Sequence, residues 1–147
     1  MKSTFKWSRI LCHSTHLFLM SLWMIGHAAF GQSFLDPRIA HKLEGEGKAT
    51  IIDVREAEET ESGMVKGALW FPISKAQKNG PELEQFLSKL SKDKIMVVYC
   101  RSGKRAAIFV SILKNRGFKA ENMGAFSDWQ KANLPISKQN GALNSGS

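Results

Sequence analysis

Short apolar runs alternate with amphipathic runs along most of this 147-residue chain. Four short runs, largely apolar in the first three, predict strands at residues 49–54 (ATIIDV), 68–71 (ALWF), 94–100 (KIMVVYC) and 119–124 (KAENMG). Short, continuously apolar strands are typical of sheets that are covered on both faces.

The segments between these runs have the spacing of helices. Asp36 is a typical N-cap residue, and Pro37 follows it at the first helical position. Four helices are predicted, within residues 35–47, 80–93, 104–118 and 125–133, with one helical turn within 55–63. The alternation of strands and helices predicts a single α/β domain, with a mainly parallel sheet and helices on both faces.

Composition narrows the function classes. Hydrophobic residues make up 43% of the chain and charged residues 23%, as expected of a globular protein, and the net charge is +8. The basic residues form no block of five, so we do not expect a nucleic-acid partner. The four histidines, His13, His16, His27 and His41, lie near the N-terminus, away from the other candidate residues. We therefore expect neither a metal nor a cofactor.

The first 31 residues have the three-part pattern of a secretory signal peptide. Three basic residues lie within the first nine, an uncharged apolar run spans 17–25, and small residues precede Gln32. A membrane-spanning helix needs about 20 apolar residues, more than this run provides. We expect cleavage at Gly31–Gln32 and a periplasmic or secreted protein without stable membrane association. The cleaved chain would consist of a domain over 32–136 and a disordered tail over 137–147. An uncleaved anchor or a buried helix is the alternative.

One cysteine, Cys100, would remain after this cleavage. It ends the predicted strand at 94–100, and the sequence CRSGKR leads from it into a helix. In open sheets of parallel strands, functional loops lie at the carboxyl ends of the strands. The position therefore favours a functional cysteine, and the alternative is an inert core cysteine followed by a solvated basic turn.

The residues after Cys100 favour negative charge. Gly103 permits a tight turn, and the N–H groups at a helix start attract anions. Arg101, Lys104 and Arg105 add three positive charges. We therefore expect a nucleophilic thiolate at Cys100, in a loop that binds an anionic substrate.

Three segments resemble the rhodanese (thiosulfate sulfurtransferase) domain. Residues 97–106 (VVYCRSGKRA) resemble its active-site loop. Residues 51–74 contain Asp-Val-Arg, followed by Gly-x-x-x-Gly-Ala and a strand that ends in Pro. Residues 113–129 contain Gly-Phe, a glycine turn and a terminal Trp. These segments occur in the order of the family, and the resemblance covers residues 35–135.

The resemblance implies that Cys100 carries a persulfide. A small anionic donor such as thiosulfate would supply the sulfur, and cyanide or a thiol would accept it. The anion would be bound by five loop residues: Arg101, Ser102, Gly103, Lys104 and Arg105. Asp53 and Arg55 would support the site, or alternatively form a structural ion pair. Because it combines this domain with a predicted signal peptide, the chain resembles the small periplasmic rhodaneses of the phage-shock type.

Two other functions stay open. Phosphatases and arsenate reductases on the same scaffold have a similar loop, but with one more residue between the cysteine and the arginine. The loop from Cys100 to Arg105 has the shorter, sulfur-handling length. A module that binds an anion or relays sulfur to a protein partner, without turnover on small donors, is the second alternative.

Overall fold

The computed structural model describes residues 33–138. The predicted signal peptide and all but the first two residues of the predicted tail lie outside this part of the chain. Between residues 33 and 138, no helix is both long enough and apolar enough to cross a membrane.

Helices and strands alternate through the described part. The helices are α1 (Pro37–Gly45), α2 (Ala57–Thr60), α3 (Ile73–Gln77), α4 (Pro81–Ser88), α5 (Lys104–Asn115) and α6 (Phe126–Lys131). The strands are β1 (Ala49–Asp53), β2 (Met64–Val65), β3 (Leu69–Trp70), β4 (Ile95–Cys100), β5 (Lys119–Ala125) and β6 (Ile136–Ser137). As predicted, α1 has Asp36 as its N-cap, and the Asp36 carboxylate accepts a hydrogen bond from the Arg38 N–H.

Four of these strands form a parallel sheet in the order β3-β1-β4-β5. Strands β1 and β4 are central, with Asp53 paired to Tyr99 at their carboxyl ends. The predicted α/β class and mainly parallel sheet are confirmed. The carboxyl ends of β1, β4 and β5 meet at one edge, where Cys100 lies.

Side chains of the central strands alternate between two cores, one on each face of the sheet. Val98 and Cys100 face a core formed with α3, α4 and α5. Val97 and Tyr99 face the other core, formed with α1 and α6. The predicted placement of helices on both faces is therefore confirmed, and Cys100 lies on the α5 side.

Two features were not predicted from the sequence. Helix α3 follows Pro72 directly, and β2 pairs with β6 as a short antiparallel sheet. Met64 pairs with Ser137, which the sequence analysis had placed in the tail. Two-residue strands are too short to show an alternating pattern, and their pairing depends on residues far apart in the chain.

Candidate active site

Cys100 is the last residue of β4 and is fully buried. Its Sγ accepts a hydrogen bond from the backbone N–H of Gly103 at 3.1 Å. Gly103 is the N-cap of α5 and has a φ of 85°. This left-handed conformation is accessible to glycine at little cost, and it turns the amide back toward the sulfur. An N–H directed at Sγ stabilises negative charge there.

Asn122 connects this loop to β5. Its Nδ2 donates to the Gly103 carbonyl at 2.9 Å, and its Oδ1 accepts from the Gly124 N–H at 2.9 Å. The register between β4 and β5 is irregular here, since Val98 pairs with Asn122 and Tyr99 with Gly124. This bulge gives Asn122 its place beside the loop. No local sequence pattern assigns Asn122 to this loop, because only the pairing of β4 with β5 brings it there.

The exposed residues of the loop are Arg101, Ser102 and Lys104. Neither Arg101 nor Lys104 forms an ion pair with any residue between 33 and 138. These two of the three predicted cations are therefore available to an anion from solvent.

Arg105, the third predicted cation, is held by Glu59. Its Nη2 donates to Oε1 at 2.7 Å and its Nη1 donates to Oε2 at 2.5 Å. The hydrogen bond with Glu59 is the main cause that raises the pKa of Arg105, and the nearby Cys100 sulfur adds to it. In turn, Arg105 lowers the pKa of Glu59 to about 2. Arg105 is therefore a cation held in place near Cys100, and Glu59 holds it, a role that no local sequence pattern predicts.

Asp53 and Arg55 form a buried ion pair, with Nη2 and Oδ2 2.7 Å apart. Arg55 also donates to the backbone carbonyls of Glu59 and Gly63, at 2.9 and 2.7 Å. The ion pair therefore holds the C-terminal part of α2, which carries Glu59, and the segment that follows it. Its position is compatible with both readings of the sequence, a structural ion pair and a support for the site.

Tyr99 completes this buried network. Its hydroxyl donates to Asp53 Oδ2 at 2.6 Å and accepts from the Val65 N–H at 3.1 Å. Burial, with the neighbouring Asp53 carboxylate, raises the pKa of Tyr99 above its usual range, so the hydroxyl keeps its proton.

A cavity of about 290 Å³ lies beside the loop. It is lined by Arg55, Glu59, Arg101, Phe126, Ser127 and Gln130. Arg55 and Glu59 are paired with other residues, so Arg101 is the unpaired charge among these lining residues. Cys100 does not line the cavity, in agreement with its burial. A second cavity, of about 230 Å³ between Phe71 and Lys89, contains none of the predicted site residues.

Residues 33–138 contain no cluster of three or more His, Cys, Asp or Glu side chains that could hold a metal ion. The groups that the described site brings together are the Cys100 sulfur, backbone N–H groups and guanidinium groups.

Comparison with known proteins shows the family of this domain. Residues 36–132 match the rhodanese-like domain. The chain belongs to the rhodanese-like family. The human thiosulfate:glutathione sulfurtransferase is 32% identical over 96 residues, which cover 59% of this chain and 84% of that protein. A sulfurtransferase of Allochromatium vinosum is 27% identical over 100 residues, covering 67% of this chain and 87% of that protein.

Solved structures show the same fold. The crystal structure of a rhodanese-like domain protein from Staphylococcus aureus has a TM-score of 0.54 and 28% identity, and the match covers 67% of this chain and 90% of that one. The resemblance seen in the sequence is thus confirmed at the level of the family. Membership and the sulfurtransferase relatives support a sulfur-transfer role for this rhodanese-like domain.

Proposed function

We propose that this rhodanese-like protein transfers a sulfane sulfur from thiosulfate, or a similar small anionic donor, to a thiol or cyanide. The observation that carries the proposal is the hydrogen bond from the Gly103 N–H to Cys100 Sγ, at the carboxyl edge of the sheet. Together with this N–H, the nearby Arg105 stabilises the negative charge that develops on the sulfur when Cys100 acts as a nucleophile or as a leaving group.

The reaction would proceed in two displacements. The Cys100 thiolate attacks the outer sulfur of thiosulfate, the S–S bond of the donor breaks, and sulfite leaves with the bonding electron pair. The acceptor, as cyanide or a thiolate, then attacks the outer sulfur of the Cys100 persulfide. That step forms thiocyanate or a new persulfide and regenerates the Cys100 thiolate, so no external oxidant or reductant is needed.

The charges around the loop support the binding of an anionic donor. Arg101 and Lys104 are exposed and unpaired among the described residues, so they attract anions toward the loop. Since Cys100 is fully buried, Arg101 and Ser102, the exposed residues that follow it, must move before a donor can reach the sulfur. We infer that the donor first binds beside Arg101 and Lys104 and then displaces Arg101 and Ser102, while Gly103 keeps its hydrogen bond to the sulfur.

The same burial favours a second candidate function, that of a sulfur-relay module. In such a module a protein partner would open the loop and take the sulfur, and turnover on small donors would be slow. Phosphoryl or arsenate chemistry has less support, because the chain belongs to the rhodanese-like family and has the shorter loop.

Intact-mass spectrometry after treatment with thiosulfate tests these functions. We expect wild-type protein to gain the mass of one sulfur atom and to lose it with cyanide. Cys100→Ser should gain nothing, while the control Cys12→Ser, in the predicted signal peptide, should behave as wild type. Sulfur uptake without steady-state turnover on cyanide or thiols would favour the relay module. The absence of uptake by wild-type protein would contradict both sulfur-transfer proposals.

We also propose that the protein is exported and cleaved before it acts. The support is the charge and hydropathy pattern of residues 1–31. N-terminal sequencing of protein recovered from the periplasm of a Gram-negative host should begin at or near Gln32. Soluble periplasmic protein that still begins at Met1 would contradict this proposal.

A further inference from the structure

The residues just before α1 lie across the loop that follows Cys100. The Leu35 N–H donates to the Asn122 carbonyl at 2.8 Å, so this segment runs beside β5. The ring of the preceding residue, Phe34, lies against two glycines. A methyl group placed on Gly103 would be 2.8 Å from Cε1 and Cζ of Phe34, and one on Gly124 would be 3.1 Å from Cγ and Cδ2. The ring occupies space that a side chain at either position would take.

Gly103 is thereby held from three sides. The Phe34 ring contacts it, the Asn122 amide binds its carbonyl, and its own N–H is directed at Cys100 Sγ. Glycine has the greatest conformational freedom of all residues, so an amide at this position keeps its direction only if its surroundings restrict it. Phe34 supplies part of that restriction by its contact with Gly103, whose N–H binds the Cys100 sulfur directly.

Phe34 lies outside the segment that defines the family, since the rhodanese-like match begins at residue 36. Phe34 is 47% exposed, and it is not a member of either core. An apolar ring that stays half in water and packs on two glycines has little to contribute to the core. We propose that Phe34 is a positioning residue for Cys100, which keeps the Gly103 amide directed at the sulfur.

This inference rests on the proposed function, and it has a specific kinetic consequence. Without the ring, Gly103 samples more conformations, and for less of the time its N–H stabilises Cys100 Sγ, which leaves with the bonding electron pair in the second step. Arg101 and Lys104, which attract the donor, do not depend on Phe34 for their charge. Loss of the ring should therefore lower kcat and leave the KM for thiosulfate nearly unchanged.

The test compares Phe34→Ala with Phe34→Leu and with a control, Ile39→Ala, in the full chain. Ile39 lies on α1 and is 51% exposed, much as Phe34 is, but it is not among the nearest neighbours of Gly103. Two quantities are measured: amide hydrogen exchange of the peptide spanning residues 100–107, and kcat and KM with thiosulfate and cyanide.

We expect Phe34→Ala to exchange several-fold faster in this peptide and to have a kcat about tenfold lower, with KM changed less than about twofold. Phe34→Leu should retain most of the protection from exchange and most of the kcat of wild type. Ile39→Ala should match wild type in both quantities. Unchanged exchange in Phe34→Ala, or faster exchange with an unchanged kcat, would overturn the proposal, as would equal losses in Ile39→Ala. If wild-type protein has no thiosulfate activity, the proposed function fails, and the exchange comparison still decides whether Phe34 holds the loop.

Discussion

The carboxylate of Glu59 binds the guanidinium of Arg105 through two hydrogen bonds, although the two residues are 46 positions apart in the chain. Glu59 belongs to the α2 turn, and Arg105 belongs to the first turn of α5 beside Cys100. Cations are unfavourable at a helix N-terminus, so Arg105 needs a compensating anion at this position. Glu59 provides it and fixes where the Arg105 charge lies relative to the sulfur.

Glu59→Gln should lower the free energy of unfolding by about 1 kcal/mol at neutral pH, a typical value for a partly exposed ion pair. The pKa of Glu59 is lowered to about 2 in the folded protein, below its value near 4.3 in an unfolded chain. The pair therefore stabilises the fold fully above about pH 4.3, and this contribution is lost as the pH falls toward 2. Urea unfolding of both proteins between pH 7 and pH 3 measures the difference, which should narrow below about pH 4.3.

Glu58→Gln is the matched control, because Glu58 is exposed in the same turn and has no ion-pair partner in the described part of the chain. It should unfold as wild type does. A difference between wild type and Glu59→Gln that stays constant from pH 7 to pH 3 would contradict this account of the pair.

Arg101→Ala and Lys104→Ala should each raise the KM for thiosulfate several-fold without lowering the Tm, because both side chains are exposed and unpaired among the described residues. The effect should diminish as the salt concentration rises, since screening weakens attraction between exposed charges. The control is Lys119→Ala, at the amino end of β5 and hence at the opposite edge of the sheet. An equal rise in KM for Lys119→Ala would mean that only the net charge of the protein matters.

Arg105→Lys should lower kcat for sulfur transfer more than tenfold, because lysine retains the charge but cannot make the two parallel hydrogen bonds to Glu59. The free energy of unfolding should fall by about 1 kcal/mol. Steady-state kinetics and urea unfolding measure the two effects. Arg116→Lys is the control at the other end of α5, where Arg116 binds Glu84 and Asn79. It should change stability by a similar amount and leave kcat unaltered.

Asp53→Ala should destabilise the protein by about 3–5 kcal/mol, because it leaves the buried Arg55 guanidinium without its counter-charge. It also removes the acceptor of the Tyr99 hydroxyl. The midpoint of urea unfolding measures this loss. Asp128→Ala breaks an exposed ion pair with Lys131 and should cost less than about 1 kcal/mol. Similar midpoints for the two variants would show that the buried pair is not a main support of the fold.

Much of the fold follows from local sequence patterns. The apolar runs around β1 and β4 and the Asp36-Pro37 helix start are each visible within a few residues, since burial and capping act at short range. The position of Cys100 between a strand and a helix follows in the same way, and so does its place at the carboxyl edge of the sheet. The short strands β2 and β6 have no comparable pattern, because their pairing is their only regular feature.

The sequence by itself determined the α/β class, the family resemblance and the cysteine with its glycine and three cations. Only the tertiary structure decided which partners those groups have. It pairs Arg105 with Glu59, leaves Arg101 and Lys104 unpaired among the described residues, and places the Phe34 ring on Gly103. The physical reason is that these contacts join separate elements at the edge of the sheet. Their formation depends on strand register and helix packing, which no single stretch of the chain encodes.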